Sequence, residues 1–300
     1  MAHAVSADGR MEIRRAVIES GKLVEAHDAD QLVPWWSFTK AVIAMAALVL
    51  VRDGRLALDE PLVGRPYTLR QLLQHRAGLT EYGALAAYHE AIARGDDPWP
   101  VAELLERTQA HHLRYGPGQG WNYSNIGYLF VRQLMEETCG ESLDDTLKRL
   151  VLRPLGIDSA RMALIPIDLV DVAMGSADSY HPGWVYHGLL IGTLQDAALF
   201  LNRLLTGEVL PRPLRDEMPA AHNLGGPIPG RPWRTPGYGL GLMVGTTSNE
   251  LKAVGHTGGG PGSTIAVYHL PEKTPPLTVA AFAFSEIPGP VEEAAVNIRW

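Results

Sequence analysis

Ser37 and Lys40 lie three residues apart at the head of an unbroken apolar run, Ala41 to Val51. On a helix that spacing puts the hydroxyl and the amine on one face, a turn apart, where they can touch. A serine attacks a carbonyl only after something takes its proton. A lysine can do so only if burial or nearby cations pull its pKa far below the free value of ~10.4. The apolar run is too short for the ~18 residues that span a bilayer, so it reads as a helix buried on all sides of a folded core. Such burial would make Lys40 a base. The start of the helix also offers unpaired N–H groups and a positive dipole end to a developing oxyanion. Taken alone, Ser-x-x-Lys fits equally a helix with a serine cap and a surface lysine.

Two further clusters carry polar chemistry. Tyr123-Ser124-Asn125 sits where a Gly-Pro-rich loop, Tyr115 to Gly118, gives way to an apolar-periodic segment from Ile126. There a phenol and an amide two residues apart can face one cleft, for proton transfer and for gripping a polar group; an ordinary turn with an N-cap is the plainer alternative. Gly255-His256-Thr257-Gly258-Gly259-Gly260-Pro261-Gly262 is placed between two strand-like segments. Its glycines would let a substrate approach a sheet edge and leave main-chain N–H groups free; the alternative is a flexible hairpin with a surface histidine. It is not a phosphate cradle, because no Gly-Lys-Ser/Thr follows.

Positioning these groups requires a scaffold, and the sequence sketches one. At 300 residues, 46% hydrophobic and 20% charged, the chain has the makings of one large or two intimate globular domains. A net charge of -7 with no basic stripe argues against a nucleic-acid partner. Met1 to Gly21 carries charges throughout and shows no apolar h-region, which predicts a cytoplasmic protein without a signal peptide. Cys139 is the single cysteine, excluding an internal disulfide and multi-cysteine metal sites. His111-His112 and the pair His181 and His187 match no recognised metal spacing and read as surface or core residues.

A hairpin is expected from Glu12 to Glu19 and Lys22 to His27 around Ser20-Gly21. Helical periodicity marks Thr68 to His75, Pro100 to Gln109, Ser124 to Thr138, Leu143 to Leu152, Thr193 to Leu205 and Pro213 to Met218. Strands are expected at Tyr238 to Thr246, Thr264 to Leu270 and Leu277 to Phe284, with an irregular loop at His222 to Pro236. Strands at both ends and helices between predict an α+β fold. An antiparallel sheet is built from the two termini (1-58 and 190-300), a mainly helical part (59-189) is inserted, and the active site lies in the cleft between.

Taken in order, Ser37-x-x-Lys40, Tyr123-x-Asn125 and His256-Thr257-Gly258 resemble the three motifs of the penicillin-recognising serine hydrolases. The similarity is greatest to the class C β-lactamase group with its DD-peptidases, D-amino acid amidases and esterases. Supporting stretches are Gly54 to Asp59, Leu72 to Leu79, Pro154 to Ile157 and Tyr238 to Gly241. The resemblance implies a β-lactamase/transpeptidase-like fold with no metal and no cofactor. Ser37 would be the acylated nucleophile, and Lys40 and Tyr123 would share the proton traffic. Asn125 would hold a substrate amide or the lysine, His256, Thr257 and Gly258 would contact substrate, and the N–H groups of Ser37 and Gly259 would form the oxyanion hole. The expected substrate is a small carboxylic ester or amide, with peptides and β-lactams as the alternative and a non-turning-over penicillin sensor as a further one. A histidine where relatives often carry lysine implies little fixed charge for a substrate carboxylate, with charge gained as the pH falls and His256 protonates. Trp35, Trp36, Trp99, Trp121 and Tyr186 are candidates for an apolar pocket, and His75 for a structural hydrogen-bonder.

Overall fold

A computed structural model describes residues 11–175 and 180–298. Part of the charged opening stretch, residues 1–10, lies outside them. The chain builds an eight-stranded antiparallel sheet in the order Lys22–His27, Arg14–Glu19, Leu277–Ala283, Ser263–Leu270, Lys252–Gly260, Met243–Thr247, Trp233–Tyr238 and His222–Asn223. Its second and third strands join the two ends of the chain: Arg14 pairs with Phe282 and Glu19 with Leu277. The first two strands are the expected hairpin, and its turn puts both Ser20 and Gly21 at positive φ, 50° and 75°.

Both faces are covered at the inner strands Ser263–Leu270 and Leu277–Ala283, which are buried throughout, whereas the edge strands Lys22–His27 and His222–Asn223 are exposed. Ala16, Ile18, Ile265 and Val267 face the main core, while Val17, Ala266, Tyr268 and Ala281 face the C-terminal helix Pro288–Val296. On the main-core side lies Leu194–Thr206, whose cap is Thr193 Oγ1 accepting from Asp196 N at 3.1 Å. Deeper still is the helix Thr39–Arg52, buried from Thr39 through Leu50, as the unbroken apolar run predicts. Among the described residues no helix is long and apolar enough to cross a membrane.

Several elements differ from the sequence expectation. A second, three-stranded sheet of Leu32–Pro34, Leu189–Thr193 and Arg161–Ala163 forms around the nucleophile segment; its strands are too short for a periodicity to declare them. Ala86–Arg94 is a helix that lacks a side-chain cap and is mostly exposed. The glycine-rich stretch from Gly255 is no inter-strand loop. It belongs to the strand Lys252–Gly260, where glycine permits close approach of neighbouring backbone. The segment from His222 to Pro236 likewise contributes two strands, the second running on to Tyr238.

Candidate active site

The nucleophile segment is pinned before the helix begins. Trp35 N donates to Leu190 O at 2.8 Å, Phe38 N to Trp35 O at 2.8 Å, and Leu190 N to Thr39 Oγ1 at 3.1 Å. Trp36, at the head of the short 3-10 turn Trp36–Phe38, is held at φ 42°, a conformation a bulky residue adopts only when its surroundings force it. Burial of its ring and the bond from its Nε1 to Ser263 Oγ at 3.1 Å supply that force. Ser37 is thereby presented at the wall of a cleft of about 790 Å³, with Trp36, Tyr82, Tyr88, Tyr180, Asn125 and Gly259 among its lining.

Lys40 is completely buried, with Nζ 3.0 Å from Ser37 Oγ and 3.1 Å from His187 Nε2. Burial brings its pKa down to about 7, against an opposing pull from the Glu81 carboxylate. At and above neutral pH the amine therefore holds a lone pair for the Ser37 hydroxyl. Tyr123 is hydrogen-bonded to Ser37, and burial pushes its phenol well above the usual value. It stays protonated, so its O–H donates to Ser37 Oγ. Of the two proton carriers expected from the motifs, Lys40 is the one whose pKa is brought into the neutral range.

Tyr123 and Asn125 flank Ser124, the N-cap of the helix Asn125–Cys139, whose Oγ accepts from Gly127 N at 3.1 Å. The cap is fixed in turn by His75: Ser124 N donates to His75 Nδ1 at 3.0 Å, and the imidazole stacks on Tyr123 with centroids 4.3 Å apart. His75 is thus the hydrogen-bonding residue its position suggests. Asn125 is gripped by Glu81, which accepts from both its backbone N–H and its Nδ2. Its Oδ1 has no partner among the described residues.

The third motif lies where strand alternation puts it. Gly258 faces the nucleophile so closely that a Cβ there would come within 2.7 Å of Ser37 N. Gly259 is exposed and lines the cleft with Ser37. Thr257 points to the opposite face, where its hydroxyl is bound to Tyr268 at 2.7 Å and to the buried Glu292. That commitment removes its side chain from the substrate contact expected of it. His256 is completely buried, with Nδ1–H donating to Thr257 O at 2.6 Å and Nε2 accepting from Tyr238 OH at 2.9 Å. Burial, then Lys40, lowers its pKa to about 3, so the expected gain of charge on mild acidification is corrected: it stays neutral.

Of the aromatic candidates, Trp36 lines the cleft, and Trp121 lines a second pocket of about 80 Å³ that it shares with Tyr123, Arg231, Trp233 and Tyr238. Trp35 is core, packed on Phe38 and Phe200. Trp99 and Tyr186 pack against Trp184. Glu81 and His187 are the site residues that sequence reasoning missed. Neither stands in a motif, and His187 is 147 residues from the lysine it touches.

The model of the Beta-lactamase family matches residues 1–299. Esterase EstB of Burkholderia gladioli is 32% identical over 148 residues, 43% of this chain and 38% of that protein. Penicillin-binding protein 4* of Bacillus subtilis (strain 168) is 24% identical over 269 residues, 78% of this chain and 57% of that protein. The chain thus spans about half the length of these curated relatives or less. The D-amino acid amidase of Ochrobactrum anthropi SV3 superposes with a TM-score of 0.76 at 24% identity, covering 92% of this chain and 88% of that one, a likeness of fold.

Proposed function

The chain belongs to the β-lactamase family of serine hydrolases, and from that premise we propose that it hydrolyses a small carboxylic ester or amide through an acyl-enzyme on Ser37. The observation that carries this reading is Lys40 Nζ, completely buried, brought down to a pKa of about 7 and 3.0 Å from Ser37 Oγ. In the acylation step the Ser37 proton passes to Lys40 as Oγ attacks the carbonyl carbon. The N–H groups of Ser37 and Gly259 stabilise the oxyanion. Collapse expels the alcohol or amine, which takes a proton relayed from Lys40 through the Tyr123 phenol. Water then hydrolyses the ester on Ser37.

The cleft draws on both parts of the proposed division: Trp36, Ser37, Gly259, Gly260, Pro261 and Glu286 come from 1-58 and 190-300, whereas Tyr82, Tyr88, Asn125, Tyr180 and His187 come from 59-189. Among its described lining residues Glu286 is charged and no arginine or lysine occurs. An aromatic wall without a cation favours a neutral acyl group over the carboxylate of a penicillin, so esters and uncharged amides lead and β-lactams follow.

Intact-mass spectrometry after exposure to a fluorophosphonate, p-nitrophenyl acetate and a penicillin tests the reading. The fluorophosphonate should add once, at Ser37, and Ser37→Ala should remove both the adduct and the turnover of the ester. An adduct mapped to Ser124 or Thr257, or full turnover by Ser37→Ala, would overturn it.

A further inference from the structure

A neutral lysine amine has two N–H bonds and one lone pair, and a general base works only if the lone pair faces the proton it must take. Nothing in the Lys40 side chain fixes that rotation by itself. Among the described residues two polar atoms are hydrogen-bonded to its nitrogen: Ser37 Oγ at 3.0 Å and His187 Nε2 at 3.1 Å. The Tyr123 and Tyr128 rings are more distant, 5.1 and 5.6 Å from Nζ to centroid. Asn125, offered by the motif resemblance as a partner for the lysine, is engaged instead by Glu81 through both its nitrogens.

We infer that His187 is the positioning residue of the proton-transfer step: its Nε2 accepts an N–H from Lys40 and so leaves the lysine lone pair on the Ser37 hydroxyl. The inference rests on the acyl-enzyme reading above. The other end of the ring does not set the tautomer. If Nε2 accepts, the neutral imidazole carries its hydrogen on Nδ1, and that buried atom has no partner among the described residues. A hydrogen left unpaired there costs on the order of 1–3 kcal/mol, which the bond to Lys40 has to offset; that contact, at 3.1 Å, is the one hydrogen bond of the ring among the described residues and carries the inference.

The ring has no titrating role of its own. The charged and titratable groups facing it are Lys40, His256, Arg132 and His75, and burial first and these neighbours next hold it well below the ordinary histidine pKa. Tyr128 adds an aromatic edge, centroids 6.4 Å apart. Neutral throughout the working pH range, His187 can orient the amine without competing for the proton. The reverse tautomer, with Nε2–H donating to Lys40, would occupy the lone pair and switch the base off.

Three variants and one spectroscopic measurement decide it. A glutamine amide oxygen can stand where Nε2 stands, a leucine fills the space without an acceptor, and Ser37→Ala reports on the acyl-enzyme itself. With p-nitrophenyl acetate, His187→Leu should lose at least ~10-fold in kcat/KM, carried by kcat with KM little changed, and should slow fluorophosphonate labelling in parallel; His187→Gln should recover to within roughly 3-fold of wild type. Activity of His187→Leu within about 3-fold of wild type or above it, or equal losses in the two variants, would overturn the role. Long-range ¹H–¹⁵N spectra of the wild-type protein need no variant to fold: they should show His187 protonated at Nδ1 only, and a hydrogen on Nε2 would overturn the assignment. If Ser37→Ala kept its turnover, the acyl-enzyme reading would fail, while the tautomer would still report separately on the contact.

Discussion

Glu81 Oε1 lies 2.8 Å from Asn125 Nδ2, and the same carboxylate takes the backbone N–H of Asn125 and that of Gly83, the latter at 2.7 Å. The three donors lock the carboxylate, and the carboxylate fixes which way the Asn125 amide faces: nitrogen toward Glu81, oxygen away from it. An amide with its oxygen free can accept an N–H from a substrate. Glu81 has a second effect at longer range, because its negative charge opposes the depression of Lys40 by burial.

Glu81→Gln should therefore separate two effects. Removing the charge takes away the influence that raises Lys40, so its pKa falls further below about 7, and the acidic limb of kcat/KM for a p-nitrophenyl ester should move to lower pH. A glutamine can also donate, so Asn125 is free to flip and the plateau should drop several-fold. A limb that stays put or moves to higher pH would contradict the assignment of Glu81 as the counter-charge.

Lys40 is also predicted to cost stability. Its folded pKa of about 7 lies below the ordinary lysine value of 10.5, so between these two pH values the unfolded chain binds more protons than the folded one, and stability rises with pH across that window. Below pH 7 the penalty is at its full value, on the order of a few kcal/mol. Lys40→Met should abolish turnover yet melt several degrees higher at pH 6, with a smaller gain at pH 9. Thermal melts of both proteins at the two pH values check this; a larger gain at pH 9 would refute the linkage.

Two neighbouring glycines should behave oppositely. A Cβ on Gly258 would approach Trp35 O to 2.6 Å and Ser37 N to 2.7 Å, the backbone that presents an N–H to the oxyanion in the proposed reaction. Gly258→Ala should cost on the order of 10²–10³-fold in kcat, the scale of losing an oxyanion donor. A Cβ on Gly259 meets only Thr264 Oγ1, at 3.7 Å, and its N–H survives the substitution, so Gly259→Ala should keep activity within a few-fold. Kinetics of the two variants side by side decide the matter, and equal losses would remove the close approach of Gly258 as the cause.

The parts of this architecture that show in the sequence are those written in runs or in local order. The buried helix announces itself by Ala41 to Val51, and the hairpin by two strand-like segments around Ser20-Gly21. The three motifs are local, so Ser37, Lys40, Tyr123 and Asn125 can be named from the sequence, and the fold brings Ser37, Lys40 and Tyr123 into contact. What the sequence conceals depends on distant segments meeting. His187 reaches Lys40 only because the strand Leu189–Thr193 pairs with Leu32–Pro34. Glu81 looks like any loop carboxylate until the helix Asn125–Cys139 docks beside it. The burial of His256 and the outward turn of Thr257 follow from a strand register that glycines obscure, since a side-chain alternation cannot be read where side chains are missing.

That burial changes what the third motif should do with pH. A partly wet His256 would gain charge on acidification and would then favour substrates carrying a carboxylate. The imidazole is instead completely enclosed, bonded at both nitrogens, and lowered to a pKa of about 3. Between pH 5.5 and 8.5 the ratio of kcat/KM for a short-chain ester to that for a penicillin should stay flat, because Lys40, the group that titrates there, serves both reactions alike. His256→Lys should not create a carboxylate site. It would bury a second amine near Lys40, leave Tyr238 OH without its acceptor, and lower the pKa of both amines by mutual repulsion. Activity on both substrates should fall together, whereas His256→Gln, which can still accept from Tyr238, should hold up better. The measurement is the two-substrate ratio across that pH range for wild type and both variants. A wild-type ratio that swings tenfold around pH 6 to 7 and goes flat in His256→Gln would show that the imidazole does titrate and contacts the substrate charge.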